Sequence, residues 1–440
     1  MKEQSRIPTS KVQRATRFVK TGAKVGGNYL KYYTKRAFNS KIDRNTLHDD
    51  NAADIYDGLS ELKGSALKVL QMMSMDKNLL PTAYTDRFAM AQYSAPPLSY
   101  PLVVKTFQKY LRKSPGEVFD TFTKSATNAA SIGQVHQATL HGKKYAVKIQ
   151  YPGVAESVSS DLRIVRPFAV RILNINEKDL DYYMAEVESK LLEETDYQLE
   201  MRRSRAISEA CSHIDNLDFP QYYPELSCEK IITMDWMSGQ HLKDFKLQNP
   251  SQEVRNKIGQ ALWDFYDYQV HTLREVHADP HPGNFLMRAD GTLGIIDFGC
   301  VKEIPEDFYQ KYFALLRKDL PLNEEELENI FFDLNFLSPK DSPEEKVLFT
   351  GIFKDMIEML GKPFHHDAFD FSEDAYFHQI YALSDRISNM KEVRNSKTAR
   401  GPRDALYINR TYFGLYTLLN ELGAKVITRK PEWLEMEAGC

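Results

Sequence analysis

Three oxygen-bearing side chains in the C-terminal half have the types and spacing that Mg²⁺-dependent phosphoryl transfer requires. Asp279 and Asn284 stand five residues apart in HADPHPGN, and Asp297 follows Asn284 by 13 residues in IIDFG. In an H-x-D-x-x-x-x-N loop followed by D-F-G, the first Asp orients or deprotonates the attacking group. The Asn and the second Asp hold Mg²⁺, which prefers oxygen ligands and takes few carboxylates. The pattern therefore predicts Asp279 as a catalytic residue and Asn284 and Asp297 as metal ligands.

A purely structural explanation exists for each of these residues taken alone. Asp279 and Asn284 could each cap a turn, as Asp and Asn often do. The three residues in this order, with the apolar run LGIID leading into Asp297, favour the catalytic interpretation instead. His277 is expected to hold the loop by hydrogen bonds, and Arg410 is expected to pair internally.

A lysine and a loop farther upstream predict nucleotide binding. Lys148 ends AVK on the second strand of a predicted hairpin, where kinases place the lysine that pairs with the phosphates. The segment NAASIGQV (128–135) takes the position of a glycine-rich phosphate loop, with Gly133 as its single glycine. MDWMSG (234–239) is predicted to join two lobes and to meet the adenine. These segments predict a nucleotide-binding set: Ala129, Ala130, Ser131, Gly133, Val135, Lys148, Met234, Trp236 and Met237.

The lysine requires a carboxylate partner on a nearby helix. Four acids lie on one predicted helix over 180–212: Glu193, Glu194, Asp196 and Glu200. Asp196 and Glu200 share a face at i and i+4, although most such charge runs are solvated faces. Spacing alone does not choose the partner.

Two unlike lobes must position these residues. Apolar periodicity predicts an amphipathic helix over 54–75 and further helices over 160–213. Alternating apolar residues predict a hairpin that turns at HGKK (141–144) and a strand pair near 228–237. From Ser251 onward the pattern is mostly helical, apart from two short strands in NFLMRADGTLGIIDFG. Strands early and helices late predict an α+β fold.

Composition excludes several classes of protein. The chain has 440 residues, of which 42% are hydrophobic and 12% aromatic, too many for a disordered chain. It contains no run of about 18 apolar residues that would span a bilayer, and no secretory signal is expected. Four widely spaced cysteines are typical of reduced thiols in a cytosol-like compartment.

The net charge of −4 conceals a basic N-terminal arm. Residues 1–42 hold 11 basic residues and one acid, whereas the rest of the chain carries a formal charge of −14. Such an arm fits a solvated tail or a mitochondrial transit peptide, although it has more Lys than Arg. The acidic body argues against nucleic-acid binding.

Five motifs together resemble the UbiB/AarF family of atypical kinases. They are SIGQVH (131–136), AVKIQYPGV (146–154), EETDYQLE (193–200), HADPHPGN (277–284) and IIDFG (295–299). The resemblance extends over residues 50–425 and implies a two-lobed protein-kinase-like fold that binds ATP or ADP with Mg²⁺. It also implies a function in ubiquinone or related isoprenoid-lipid biosynthesis at a membrane.

The family has a helical extension before the small lobe, whose K-x-G-Q motif folds over the active site and meets an E-x-D motif. In this chain Lys68 and Gln71 match the first motif, and Leu70 replaces its glycine. The E-x-D motif corresponds to Glu194 and Asp196. The resemblance therefore implies that these residues form a regulatory extension packed over the active site.

The resemblance also assigns the partner of the strand lysine. Glu200 takes the position of the helix glutamate that pairs with Lys148. The family's alanine-rich A-A-A-S loop reads Asn128-Ala-Ala-Ser here, and in the family this loop affects the balance between ATP and ADP. Some members end in paired transmembrane helices, whereas the amphipathic segment 410–426 resembles the branch without them.

The predicted organisation has four parts. They are a basic arm over 1–45, a helical extension over 46–117, a small lobe with a helical insertion over 118–238, and a helical large lobe over 239–440. The predicted activity is Mg²⁺-dependent phosphoryl transfer or ATP hydrolysis by an atypical kinase, with Asp279, Lys148 and Glu200 catalytic.

Other functions stay open beside this one. An ordinary protein kinase is disfavoured because Ala278 stands where H-R-D has Arg, and CVKEIPEDFYQKY follows Gly299 without an A-P-E motif. A small-molecule phosphotransferase and a non-catalytic nucleotide-binding scaffold are the alternatives. Neither the phosphoryl acceptor, water, lipid or protein, nor the lipid pathway can be read from these residues.

The family resemblance gives the basic arm a function. An enzyme that serves membrane-embedded lipids without a transmembrane helix needs another means of staying at the bilayer. Cations with interspersed aromatic residues attract anionic lipids by about 1 kcal/mol for each well-placed charge. We therefore expect a cytoplasmic protein peripheral to a membrane, or an organellar-matrix protein if the arm is a targeting segment, with lipid-biosynthesis enzymes as further partners.

Overall fold

The computed structural model describes residues 11–38, 44–62, 97–129, 132–173, 177–316, 324–395 and 400–428. These residues fall into two compact units. The first unit comprises residues 1–201 and 221–236, and the second comprises residues 202–220 and 237–440.

The first unit combines an antiparallel sheet with helices. Its described helices are α1 (Lys11–Phe38), α2 (Arg44–Leu62), α3 (Tyr100–Tyr110), α4 (Pro115–Val118), α5 (Val154–Leu173), α6 (Glu177–Glu194) and α7 (Tyr197–Ala210), the last of which continues into the second unit. Its strands are β1 (Thr121–Phe122), β2 (Asn128–Ala129), β3 (Gly133–Leu140), β4 (Lys143–Gln150) and β6 (Ile231–Asp235). The strand order is β1-β3-β4-β6, and β2 also pairs with β3.

The hairpin of β3 and β4 forms where the sequence predicts it. Leu140 pairs with Lys143, so His141 and Gly142 make a two-residue turn. Both turn residues have positive φ, at 51° and 78°, as a turn that matches the twist of a tight hairpin requires. The segment predicted as a strand pair near 228–237 instead supplies one strand, β6, which pairs with β4. As a result, β4 lies in the interior of the sheet.

The predicted helix over 180–212 is broken into α6 and α7. Asp196 Oδ1 accepts hydrogen bonds from the backbone N–H groups of Gln198 and Leu199, 3.0 Å away in each case. A carboxylate in this position satisfies the free N–H groups of a new helix and starts it there. Glu200 therefore lies in the first turn of α7, and the predicted i, i+4 face with Asp196 does not exist.

The described part of the basic arm is mainly helix α1, which packs within the first unit. Helix α1 packs along α2, where a Cβ atom on Gly58 would collide with the Thr21 side chain, so glycine permits the close approach. Arg14 is buried and forms a two-point ion pair with buried Asp161 on α5, at 2.7 and 2.5 Å. The predicted helix over 54–75 is described only as far as Leu62.

The second unit is mostly helical. Its described helices are α8 (Leu242–Leu247), α9 (Gln252–Tyr268), α10 (Glu306–Ala314), α11 (Glu324–Asp333), α12 (Pro343–Gly361), α13 (Asp374–Asn389), α14 (Lys391–Asn395) and α15 (Arg403–Leu422), with a π-helical turn over Gln269–Leu273. Its strands are β5 (Leu217–Asp218), β7 (Glu275–His277), β8 (Phe285–Met287), β9 (Leu293–Ile295), β10 (Val301–Glu303), β11 (Phe369–Asp370) and β12 (Lys425–Val426). One large apolar core, rich in aromatic side chains from α9 and α15, holds the unit together.

Two small sheets position the chemistry of the second unit. Strands β8 and β9, the pair predicted from NFLMRADGTLGIIDFG, form an antiparallel hairpin in which Phe285 pairs with Ile295. Strand β10 pairs with β7, with Val301 opposite His277. Within the described parts of the chain, no helix has both the length and the apolar character needed to cross a bilayer.

Candidate functional site

The predicted lysine–glutamate pair is present in the first unit. Lys148 Nζ lies 2.7 Å from Glu200 Oε1, and the two side chains are 7% and 1% exposed. Lys148 is carried by β4 and Glu200 by the first turn of α7, so sheet and helix each fix one partner. Of the four candidate acids, Glu200 is the one that the structure pairs with the lysine.

Tyr197 completes this arrangement and was not predicted. Its ring centroid lies 5.4 Å from Lys148 Nζ, close enough for a cation–π contact. A Cβ atom on Gly133 would lie 2.7 Å from the Tyr197 hydroxyl and 2.7 Å from the Ile149 carbonyl oxygen. Gly133 is therefore required because β3 passes too close to Tyr197 and β4 for any side chain.

The SIGQVH motif has a structural role in the described residues. Gln134 and His136 are buried on β3. Gln134 Oε1 accepts a hydrogen bond from the Leu98 backbone at 2.6 Å. His136 Nδ1 lies 2.7 Å from the Thr123 carbonyl oxygen, which can only accept, and burial lowers the pKa of this imidazole. A neutral His136 protonated on Nδ1 satisfies this contact and can accept from Gln134 through Nε2.

The remaining nucleotide-binding candidates lie on three segments. Ala129 ends β2, opposite Gln134, and Val135 is on β3 opposite Lys148. Ala130 and Ser131 lie outside the described residues. Met234 is buried on β6, and the following Trp236 is half-buried, with its backbone N–H donating to the Lys144 carbonyl oxygen at 3.2 Å. Met237 is the first residue of the segment 237–440 of the second unit.

The E-x-D residues have two different environments. Glu194 is buried at the end of α6, whereas Asp196 is exposed and caps α7. On the same helix as Glu194, Lys190 Nζ lies 3.0 Å from both carboxylate oxygens of Glu193. Lys68 and Gln71, predicted to meet this motif, lie outside the described residues.

The predicted catalytic loop of the second unit folds around Asp279. The Asn284 side-chain amide donates to the Asp279 carbonyl oxygen at 2.9 Å, and the same oxygen accepts the His281 N–H at 2.6 Å. The amide nitrogen is also 3.4 Å from Asp279 Oδ2. The Asn284 side-chain nitrogen is thus hydrogen-bonded within the loop. Its Oδ1 is the amide atom that can bind a cation.

Asp297 lies at the same end of the β8–β9 hairpin as Asn284. Asn284 directly precedes β8, and its carbonyl oxygen accepts the Ile296 N–H at 3.1 Å. Asp297 Oδ1 accepts the Gly299 N–H at 2.8 Å, so the turn of IIDFG orients the carboxylate. The hairpin register is thus what brings together two residues 13 apart in sequence.

His277 links the catalytic loop to IIDFG, in line with the expectation that it holds the loop by hydrogen bonds. Its Nε2 lies 2.7 Å from the Asp297 carbonyl oxygen, and its Nδ1 lies 3.0 Å from the Tyr266 hydroxyl. Because a carbonyl oxygen can only accept, Nε2 carries the proton and Nδ1 accepts from Tyr266. The Gln269 side chain accepts the His277 backbone N–H at 2.9 Å and completes the support.

Arg410 supplies a cation to the catalytic loop. Its Nη2 lies 2.5 Å from Asp279 Oδ1, and the two side chains are 13% and 16% exposed. The sequence predicts an internal partner for Arg410 but carries no signal that identifies Asp279, which is 131 residues away.

The donors at the hairpin end suit Mg²⁺. Asn284 and Asp297 offer one amide oxygen and one carboxylate, the hard oxygen ligands that Mg²⁺ uses together with water and substrate phosphates. Among the described residues, no three His, Cys, Asp or Glu side chains converge on a metal position. Asn284 Oδ1 and the Asp297 carboxylate are thus the side-chain oxygens at the hairpin end that suit Mg²⁺.

Comparisons with known proteins identify relatives of this chain. The ABC1 atypical kinase-like domain matches residues 90–331, more than half of the chain. "Atypical kinase COQ8, mitochondrial" of Saccharomyces cerevisiae is 29% identical over 433 residues, which cover 96% of this chain and 84% of the relative. AarF domain-containing protein kinase 1 of Xenopus laevis is 31% identical over 260 residues, 58% of this chain and 50% of the relative.

A solved structure shows the same fold. The Mycobacterium tuberculosis protein Rv3197, determined in complex with erythromycin, superposes with a TM-score of 0.58 and 25% identity. The match covers 89% of this chain and 96% of that protein. With its two-lobed α+β kinase-like fold, the chain therefore belongs to the UbiB/AarF family of atypical kinases.

Proposed function

We propose that this atypical kinase binds ATP with Mg²⁺ and transfers the γ-phosphoryl group to an acceptor or to water. The observation that carries the proposal is the β8–β9 hairpin end, where Asn284 and Asp297 lie together and Asn284 is hydrogen-bonded to Asp279. Phosphoryl transfer depends mainly on positioning and charge neutralisation, and these residues supply both.

The candidate site residues have distinct tasks in this reaction. Lys148, held by Glu200, would bind the α and β phosphates, as the strand lysine of kinases does. Asn284 Oδ1 and the Asp297 carboxylate would hold Mg²⁺. The bound ion would neutralise negative charge on the phosphates. Asp279 would orient the attacking hydroxyl or water through its carboxylate.

The experiment compares the wild type with Asp297→Asn. We expect Mg²⁺-dependent ADP formation by the wild type and a loss of at least 100-fold in Asp297→Asn. Candidate acceptors, namely water, anionic lipid vesicles and casein, are supplied separately with γ-labelled ATP. Nucleotide binding without turnover in any arm would identify a scaffold, and turnover that Asp297→Asn does not change would refute the proposal.

We further propose that the protein acts in isoprenoid-quinone or related lipid metabolism. The support is its similarity to the atypical kinase COQ8 over nearly the whole chain. The test is lipid analysis of cells that lack the protein. Accumulation of a prenylated intermediate is expected, and an unchanged isoprenoid-lipid profile would refute this assignment.

We propose in addition that helix α1 binds an anionic membrane surface. Its side opposite the packed face exposes apolar Val19, Leu30 and Tyr33, which are 72%, 71% and 59% exposed. Along one flank of this apolar stripe run four exposed lysines: Lys20, Lys24, Lys31 and Lys35. The apolar area that such a helix buries in the membrane interface favours binding to anionic lipid, and so do its surface cations.

Point substitutions test the membrane proposal better than deletion of the packed helix does. Replacing Lys20, Lys31 and Lys35 with Glu should lower binding to phosphatidylserine vesicles at low salt by at least tenfold. The matched control places three Glu residues at exposed Lys105, Lys113 and Lys124 of the same unit. Equal losses in both triple variants would show that overall charge, not α1, governs the binding.

A further inference from the structure

Over the described residues 278–306, the catalytic loop is supported differently from the loop of an ordinary kinase with its activation segment. Ala278, where an H-R-D loop has Arg, is fully buried, and its N–H donates to the Cys300 carbonyl oxygen at 2.9 Å. Strand β10 follows Cys300 directly and pairs with β7. Helix α10 then begins at Glu306. Between Gly299 and Glu306, all of which the structure describes, there is thus only a short link.

The C-terminal helix α15 instead contacts both halves of the catalytic machinery of this unit. At its first turn, Asp404 pairs with Lys302 of β10 at 2.6 Å, and Lys302 is buried. Farther along, a Cβ atom on Gly414 would lie 2.8 Å from Pro280 Cβ, so the helix backbone passes against the residue that follows Asp279. Helix α15 therefore packs closely against the loop. Its first turn is also ion-paired to β10, the strand that follows IIDFG.

Arg410 is the part of α15 that reaches the reacting group. Gly414 follows it by one helical turn, so the close approach at Gly414 and the Arg410–Asp279 ion pair lie on one face of the helix. The guanidinium binds one carboxylate oxygen while the Asn284 amide approaches the other. Two donors on different elements thus fix the rotation of the Asp279 side chain.

We propose that Arg410 is a positioning residue for phosphoryl transfer, and that α15 through Arg410 holds Asp279 in its working orientation. The inference rests on the proposed function for its catalytic consequence, but its structural part can be tested independently. Misplacement of a catalytic group by about 1 Å can lower a rate about 100-fold. Loss of Arg410 should therefore lower kcat while leaving nucleotide binding almost intact.

The experiment measures ADP formation, the Kd of MgATP and hydrogen exchange of residues 279–284 in full-length Arg410→Met, Arg410→Lys and Arg386→Met. Arg386 pairs with Asp355 on the surface of the same unit, so its substitution removes an exposed Arg–Asp ion pair away from the loop. We expect kcat to fall 10- to 100-fold in Arg410→Met with Kd within threefold of the wild type. Arg410→Lys should lose less, Arg386→Met should match the wild type, and guanidinium ion should restore part of the Arg410→Met rate.

Asp279→Asn provides the second control. If Arg410 acts through Asp279, adding Arg410→Met to Asp279→Asn lowers kcat no further. Loop amides should exchange at least tenfold faster in Arg410→Met, whether or not the wild type turns over ATP. Faster exchange in an inactive wild-type background would refute the proposed activity but support the positioning. Unchanged loop exchange, or a full additional loss in the double variant, would overturn the inference.

Discussion

Glu200→Gln is expected to destabilise the first unit far more than loss of a surface ion pair does. The change removes the carboxylate that lies 2.7 Å from Lys148 Nζ while keeping the side-chain volume. Because the lysine is only 7% exposed, its charge cannot be solvated by water in place of the carboxylate. Removing one partner of a buried pair costs about 3–5 kcal/mol. About 1.4 kcal/mol changes an equilibrium constant tenfold. A loss of about 3 kcal/mol therefore raises the equilibrium constant for opening of the first unit about 100-fold.

Native-state hydrogen exchange of Val147 and Ile149 on β4 measures this opening. The matched control is Asp235→Asn, because Lys143 and Asp235 lie 2.7 Å apart on the same sheet but are 46% and 27% exposed. A solvated pair of this kind is worth at most about 1 kcal/mol, so exchange should change less than about fivefold.

The double variant separates charge burial from packing. Lys148→Met combined with Glu200→Leu removes both charges and should recover most of the lost stability, since apolar replacement of a buried pair is often neutral. The same variant should bind no nucleotide phosphate. Equal exchange in Glu200→Gln and Asp235→Asn, or a double variant less stable than Glu200→Gln, would refute the reasoning.

Three further predictions concern close packing and thiol reactivity. Gly133→Ala should lower the midpoint of thermal unfolding by several degrees, because overpacking costs roughly 1–3 kcal/mol, whereas Gly351→Ala, with open space around it, should not. Gly414→Ala should lower kcat by displacing the loop at Pro280, although alanine favours a helix by about 1 kcal/mol over glycine; unchanged kcat would contradict the close approach. Burial raises the pKa of the Cys211 thiol to about 12, so iodoacetamide at pH 8 should modify Cys211 only after denaturation, as peptide mass spectrometry would show.

Local motifs predicted which residues of the second unit lie together, because the geometry of these motifs is set by short-range structure. Asp279 and Asn284 lie on one loop, and Asp297 joins them through a hairpin whose strands are visible as apolar runs. The position of Lys148 could likewise be predicted from the apolar neighbours Val147 and Ile149 on its strand. Such features depend on few residues close in sequence, which is why they can be read without a structure.

The features that sequence reasoning did not find depend on long-range contacts or on residues with two uses. Arg410 meets Asp279 across 131 residues, and no spacing rule links them. Asp196 was assigned to one continuous helix because charged residues fit a helix, yet its carboxylate caps the start of α7, and α6 ends at Glu194. Helix α1 was missed because its cations mask the few apolar residues that pack on α2.

The attachment of α15 to the catalytic loop has a consequence for synthesis and for gene annotation. The chain emerges from the ribosome N-terminus first, so every motif from HADPHPGN to IIDFG is made before the helix that carries Arg410. A nascent or prematurely terminated chain that stops before Arg403 would contain the whole motif set and still lack the cation that holds Asp279. Formation of a competent loop would then coincide with completion of α15, and intact motifs in a truncated reading frame would be no evidence of an active protein.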